Sequence, residues 1–199
     1  MKLSTEDKAT LGVALNEATL LGVELDPGRR AVGVTFSVLT LPEAGPEPED
    51  ARVQLVLSSV GRIAASLRSG SWDDAQAEVV PFEVADLLAV VQSFEGEPIY
   101  GWEFFDLHEQ ELEAWGERLS LDWGDSRDDL DHSLCLFQEG TDRHLDLCIW
   151  FGSLEIRSPS GELVPLEDFC EGGRRWWEAL ESGDPRTDGH GIAPAGEDG

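Results

Sequence analysis

Residues 132–151, HSLCLFQEGTDRHLDLCIWF, contain two apolar stretches separated by a short polar segment. In the second stretch, Leu145, Leu147, Ile149 and Phe151 alternate with other residues, a period of two that is typical of a β-strand with one buried face. The segment between the stretches, QEGTDR, is short and contains glycine, which suits a connection between antiparallel neighbours. This part of the chain therefore predicts a β-hairpin.

Further strands are predicted in both directions from the hairpin. ATLLGVEL (18–25) and AVGVTFSVLTL (31–41) flank DPGRR, whose proline and glycine are typical of a turn. RVQLVLSSVGRIAASLRSG (52–70) is predicted to be one long bent strand or a tight pair of strands, with Gly61 at the bend. LEIRSPSGELV (154–164) is predicted to be a strand followed by a turn.

Two segments change from a period of two to the helical period. PFEVADLLAVVQSF (81–94) places apolar residues at the spacing of one helix face, and Pro81 suits the first turn of a helix. Residues 166–181 are predicted to form the last helix. Because each helix follows a series of strands, the predicted fold class is α+β, with an antiparallel sheet or sheets and one closing helix per half.

Two adjacent tryptophans lie on the last predicted helix. Trp176 shares one helix face with Phe169, Gly173 and Leu180, which predicts that its ring anchors the core. Trp177 lies about 100° around the helix, next to two arginines. We expect it to pack at the edge of the core, with contact to a ligand as the alternative.

Short sequence matches recur in the same order in both halves of the chain, as an internal duplication would give; matches that arise by chance are the alternative. The matched pairs are GVEL (22–25) with GWEF (101–104), LRS (67–69) with IRS (156–158), and VVPFE (79–83) with LVPLE (163–167).

The predicted organisation follows from these matches. Residues 1–94 form a β-rich half that ends in a helix, and residues 98–181 form a second such half, either as separate units or as one domain. Residues 182–199 are rich in glycine, proline and acidic side chains without periodicity, and are predicted to be a disordered acidic tail.

Charge is the property that departs most from an average protein. The 199 residues include 14 basic and 41 acidic side chains, so the net charge is 14 − 41 = −27. Such a charge repels phosphate backbones and anionic lipids, which argues against nucleic-acid or membrane partners and favours a basic protein partner. An acidic surface that serves only solubility, or adaptation to a high-salt cytoplasm, is the alternative.

The cysteines and the start of the chain bear on the compartment. There are three cysteines, an odd number, and the N-terminal residues resemble no signal peptide, so we expect reduced thiols and a cytoplasmic location. A disulfide between Cys135 and Cys148, across the predicted hairpin, is the alternative.

Catalytic and metal-binding motifs are not recognisable. HEQEL (108–112) lacks the second histidine of the zinc-protease motif. His132, Cys135, His144, Asp146 and Cys148 gather in the hairpin, but their spacing matches no zinc site. We therefore predict no cofactor, no metal ligands and no catalytic residues.

The predicted function is a non-enzymatic, strongly acidic interaction module. One specific form is an immunity- or antitoxin-type inhibitor that covers the cationic cleft of a nucleic-acid-cutting enzyme. Large aromatic side chains and carboxylates would supply the binding surface. The candidate binding residues are Trp102, Glu103, Asp106, Trp115, Trp123, Asp125, Asp128, Asp129 and Trp177.

Two alternatives belong to other functional classes. One is a hydrolase that uses carboxylates or the pair His144 and Cys148. The other is a small-molecule-binding protein with a pocket between the halves, lined by Trp102, Phe104 and Trp150. The sequence does not indicate an oligomeric state.

Overall fold

The computed structural model describes residues 2–74, 76–99, 103–107, 118–124 and 130–192. Within these residues, ten strands form two antiparallel sheets, and three α-helices lie around them. In chain order the elements are α1 (Thr5–Leu15), β1 (Thr19–Asp26), β2 (Ala31–Ser37), β3 (Arg52–Ser58), β4 (Arg62–Ser69), β5 (Glu78–Val79), α2 (Leu87–Gln92), β6 (Leu121–Trp123), β7 (His132–Glu139), β8 (Arg143–Phe151), β9 (Ser153–Arg157), β10 (Leu163–Val164) and α3 (Leu166–Glu181).

The predicted α+β class with antiparallel sheets is confirmed. The first sheet has the order β1-β2-β3-β9-β10, and the second has the order β5-β4-β8-β7, with β6 also paired to β4. A 3-10 turn at Val84–Asp86 leads into α2, and α3 follows β10, so a helix comes after the strand series in each half.

The two sheets share a corner at which two strands pass from one sheet to the other. β3 continues into β4 through residues 59–61, and β8 continues into β9 through Gly152. Gly61 donates its N–H to Trp150 O at 3.1 Å, and Gly152 donates to Ser58 O at 3.0 Å, so the pairing continues around the bend. The predicted bend at Gly61 is present: β3 and β4 are two strands in different sheets, joined by residues 59–61.

Gly124 packs against this corner. Its φ is +77°, and a Cβ atom at this position would lie 2.2 Å from the carbonyl oxygen of Gly61. Only glycine satisfies both the left-handed backbone and this close approach.

One apolar core fills the space between the two sheets. The alternating side chains of β2 and β8 that face inward are buried, from Val34 and Phe36 on one sheet to Leu147 and Ile149 on the other. The same cluster includes Leu11 of α1 and residues of α2 and α3. Both predicted halves therefore contribute to a single core.

Two of the three matched pairs, LRS with IRS and VVPFE with LVPLE, occupy corresponding places in the two sheets. Arg68 pairs with Val79 before Pro81, and Arg157 pairs with Leu163 before Pro165. The first sheet combines β1, β2 and β3 of the first half with β9 and β10 of the second half, and the second sheet combines β4 and β5 of the first half with β7 and β8 of the second. Phe105 forms an isolated bridge to Leu134 of β7, in the place that corresponds to β1 beside β2. A duplication would give this arrangement, although common origin of the halves stays a prediction.

The sequence patterns did not predict α1. Ser4 caps the helix by accepting from Asp7 N–H at 3.1 Å, while Asp7 accepts from Ser4 N–H at 2.7 Å, which forms a reciprocal capping box. α1 packs against α3, where Trp176 is fully buried, as expected for a core anchor.

Residues 182–192, the first part of the predicted tail, contact the rest of the protein. A 3-10 turn spans Pro185–Thr187, Thr187 is buried, and Ile192 packs against the small apolar cluster around Trp176. His190 bonds to Glu47 at 3.0 Å. Residues 193–199 lie outside the described residues, and for them disorder stays a prediction.

We predict that Gly173→Ala lowers the free energy of unfolding by about 1–3 kcal/mol. A Cβ atom at Gly173 would lie 2.7 Å from Ala14 Cα, so α1 and α3 would have to separate. Glu178→Ala, at an exposed position of the same helix, is the control. Urea denaturation measures both; a more stable Gly173→Ala variant, as helix propensity alone would give, would contradict this close contact.

Candidate functional site

The predicted binding residues divide into three groups. Trp102, Trp115, Asp125, Asp128 and Asp129 lie outside the described residues. Glu103 is exposed, and Trp123 is half-buried against the core from β6. Trp177 and Asp106 are engaged in contacts within the chain.

Trp177 joins the two packed helices. Its indole N–H donates to Val13 O of α1 at 3.1 Å, and its ring meets that of Trp176 edge-on at 5.0 Å. The side chain is half-buried, so its polar atom and much of its ring serve packing, which was the favoured expectation from the sequence.

Asp106 is the centre of a hydrogen-bond network and not a free surface carboxylate. One of its oxygens accepts from Lys8 Nζ at 2.8 Å and from His132 Nδ1 at 3.0 Å, and the other accepts from Ser133 N–H at 2.7 Å. Burial acts to raise the pKa of Asp106, but the three donors outweigh it and hold that pKa below its ordinary value. The backbone φ of +55° at this residue is compensated by these bonds.

The same network holds the N-terminal segment. The buried His132 ring accepts from Leu3 N–H through Nε2 at 2.9 Å, so both ring nitrogens are used and the imidazole is neutral in this arrangement. Lys2 pairs with Asp131 at 2.7 Å. Both lysines of the chain therefore tie the start of the protein to the region around β7.

A second polar cluster lies on the outer face of the second sheet. Arg68 is paired with Asp146, and the neighbouring His144 donates from Nδ1 to Gly70 O at 3.1 Å. Burial raises the pKa of Asp146, and the Arg68 guanidinium opposes that shift. Ser66 Oγ, Arg68 Nε and His144 Nε2 are buried without hydrogen-bond partners.

This cluster has the side-chain types of acid–base chemistry but lacks access for a substrate. His144 has no exposed surface and Ser66 only 1%. Arg68 and Asp146 are the guanidinium and the carboxylate of the cluster, and they are paired with each other. The arrangement acts as a buried polar contact between β4 and β8.

Cys135 and Cys148 form a disulfide, which corrects the expectation of reduced thiols. The two residues are paired directly across β7 and β8, with 4.2 Å between their Cα atoms. Cys135 donates its N–H away from β8, to Phe104 O, as in a non-hydrogen-bonded antiparallel pair, where side chains approach most closely. Cys148 is therefore not a free thiol beside His144, and Cys170 is the free, buried cysteine.

Among the residues that the structure describes, no three or more His, Cys, Asp or Glu side chains gather as a metal site would require. No helix in the same residues is long and apolar enough to cross a bilayer.

Acidic loops gather at the end of the sheets that is opposite the corner. We call this the acidic loop surface: residues 70–74, 93–98 and 139–143. Gly70 donates to Asp142 O at 2.6 Å, and Arg143 donates to Ser93 O at 2.6 Å, which joins the three loops. Its exposed carboxylates are Asp73, Asp74, Glu95, Glu97 and Asp142.

Trp72 projects from this surface. Its side chain is 60% exposed, and two acidic residues follow it directly. The loop is ordered by its own bonds: Ser71 Oγ donates to Asp73 at 2.6 Å, and Asp74 accepts from Gln76 N–H at 2.8 Å. Trp72 is therefore held on the outside by a fixed turn, and sequence patterns did not single it out.

The basic side chains of the chain are used internally. The one arginine of the acidic loop surface, Arg143, lies 5.2 Å above the Phe94 ring as well as bonding to Ser93 O. Every lysine and arginine among the described residues makes an interaction within the chain. By contrast, the five carboxylates of the acidic loop surface have no basic partner within those residues.

Two residues of the proposed small-molecule pocket are also placed. Phe104 is buried in the core, and Trp150 stacks under the Arg62 guanidinium at 5.2 Å. Comparison with protein-family models, curated proteins and solved structures finds no match to this chain.

We predict that the disulfide stabilises the protein by about 3 kcal/mol, because it closes a short loop between residues 13 apart. Protein refolded under oxidising conditions should have a mass lower by two hydrogens and a higher urea midpoint than protein refolded with reductant. A Cys135→Ala, Cys148→Ala double variant should show no difference between the two conditions; a difference there would attribute the effect to Cys170.

We predict that Asp106→Asn lowers the free energy of unfolding at neutral pH by about 2–3 kcal/mol. Because the folded pKa of Asp106 is lowered, its contribution is complete above the unfolded pKa and is lost as pH falls through the folded value. The gap between the native protein and the variant should therefore close in acid.

Asp131→Asn, which removes an exposed pair with Lys2, is the matched control and should change stability by less than about 1 kcal/mol. Urea denaturation from neutral pH down to about pH 3 measures all three proteins. A gap that stays constant over this range would show that Asp106 contributes through shape and not through its charge.

Proposed function

We propose that this protein is a non-enzymatic, acidic interaction module that binds a basic protein partner. The observation that supports this most directly is Trp72, an exposed tryptophan on an ordered turn among carboxylates that have no basic partner within the described residues. Tryptophan is one of the residue types that dominate the binding energy of many interfaces.

The chemistry of the acidic loop surface fits cationic side chains in two ways. Arginine or lysine gains attraction from the carboxylates around Trp72, and its cation is attracted to the face of an exposed indole ring. Arg143 is turned inward over Phe94, so the protein supplies no competing cation from that loop. A net charge of −27 also steers a basic partner toward the molecule.

A narrower form of the proposal is an immunity- or antitoxin-type inhibitor of a nucleic-acid-cutting enzyme. Such enzymes bind phosphates with a basic cleft, and an acidic, tryptophan-bearing surface is complementary to it. The native partner should be retained on the immobilised protein at low salt and released at high salt. Its cleavage of nucleic acid, assayed with and without this protein, then decides between an inhibitor and another kind of module.

We predict that an arginine–glycine repeat peptide binds the protein and a glutamine–glycine repeat of equal length does not. Affinity should fall steeply between about 20 mM and about 500 mM salt, since exposed charges separated by more than a Debye length are screened. Isothermal titration calorimetry measures both peptides. Equal affinity for the neutral peptide would contradict a charge-driven surface.

Trp72→Ala should weaken binding of the arginine peptide about tenfold. Leu163→Ala is the matched control, because Leu163 is 64% exposed at the edge of the first sheet, away from the acidic loop surface. If both variants bind like the native protein, the acidic loop surface is not the site of contact.

A further inference from the structure

A pocket of about 350 Å³ opens beside Glu17, at the junction of α1 and β1. Thr19 and Pro98, whose backbones are joined by an isolated bridge, line it together with Leu39 and Ile192. Pro98 also ends loop 93–98 of the acidic loop surface, so the pocket adjoins that surface. Its volume is in the range of sites that enclose a ligand group.

Glu17 is an unusual residue for this position. Its backbone φ is +60°, which is costly for any residue except glycine. Its side chain is half-buried, and within the described residues it has neither a hydrogen-bond nor an ion-pair partner. Burial raises the pKa of its carboxyl, as expected for an acid that has lost water and gained no donor.

The charges around the pocket are otherwise balanced or negative. His190 lies on its wall, and its Nε2 is already engaged with the Glu47 carboxylate at 3.0 Å. Glu97, next to Pro98, is exposed and acidic. Among the residues that the structure describes, no lysine or arginine lines the pocket. The site therefore combines one carboxylate that has no partner among the described residues with three apolar side chains, those of Leu39, Pro98 and Ile192.

We infer that this pocket receives one lysine or arginine side chain of the basic partner. The inference rests on the proposed function. The aliphatic stem of such a side chain would lie between Leu39, Pro98 and Ile192, as long basic side chains do on apolar surface. Its charged head would donate to the Glu17 carboxylate, and the Thr19 hydroxyl would offer a further acceptor.

The test uses single blocked amino acids as probes on the intact chain. N-acetyl-arginine amide and N-acetyl-lysine amide should shift the amide NMR signals of Glu17, Thr19 and Ile192, with dissociation constants on the order of millimolar. N-acetyl-glutamine amide, which lacks the charge, should not. Absence of these shifts with the basic probes would overturn the inference.

Glu17→Gln should weaken the response about tenfold, because it removes the charged acceptor and little volume. Glu17→Gly, in which glycine adopts the positive φ without strain, should also lose the response to the basic probes while the protein stays folded. Glu24→Gln removes one exposed carboxylate from β1 and is the matched control. If Glu24→Gln loses the response as Glu17→Gln does, the probes bind through general attraction by the net charge, and the pocket inference is wrong.

The arginine–glycine peptide separates failure of the pocket from failure of the proposed function. If the peptide binds the native protein and Glu17→Gln equally well, the pocket inference is wrong and the interaction module stands. If the peptide fails to bind the native protein at low salt, the proposed function fails. Weaker binding of the peptide to Glu17→Gln than to Glu24→Gln supports both the pocket inference and the proposed function.

Discussion

The corner shared by the two sheets is the constraint on which the rest of the structure depends. β3–β4 and β8–β9 remain paired as they turn from one sheet into the other, through residues 59–61 and Gly152. Because two continuous segments of the chain each contribute one strand to both sheets, the inward faces of the sheets must enclose one core. The apolar residues of the core have odd numbers along β8, up to Phe151, and even numbers along β9, from Leu154. This change of alternation at Gly152 keeps the apolar side chains facing inward on both sides of the bend.

The corner also determines where the remaining groups lie. Gly124 closes against Gly61 at one end, and the loops that connect the strands collect at the other. The loop residues Ser93, Gly70 and Asp142 there are held by hydrogen bonds between loops, so short segments from distant parts of the sequence form one surface. The acidic loop surface is thus a consequence of the strand order, and no single stretch of sequence contains it.

The regular part of the fold was predictable because its periodicity is strong. The alternation of Leu145 to Phe151 and the helical spacing in residues 166–181 predicted β8 and α3, the latter with the boundaries observed. α1 was not predicted, because its first turn carries a capping box but the helix has little apolar periodicity. The disulfide depends on which residues of β7 and β8 face each other, and the sequence alone does not give that register. Reduced thiols were therefore expected, with the disulfide as the alternative.

The candidate site was much less predictable, since composition does not distinguish carboxylates that hold the fold from those that face outward. Asp106 was expected on a binding surface but accepts three hydrogen bonds at the centre of a network. Trp72 was passed over, although it stands in SGSWDD, without apolar neighbours at strand or helix spacing that would bury it. The absence of such neighbours is the signal that identifies an exposed tryptophan.

Asp106 and Glu17 are acidic residues in positions that solubility does not require. Both have a left-handed backbone and a partly buried carboxylate. At Asp106 the cost is offset by Lys8, His132 and the backbone of Ser133, whereas at Glu17 no described residue offsets it. Solubility requires charge anywhere on the surface, in unstrained and fully hydrated positions. A strained, half-buried and unpaired carboxylate on a pocket wall is instead what the binding of a cation from outside the chain would require.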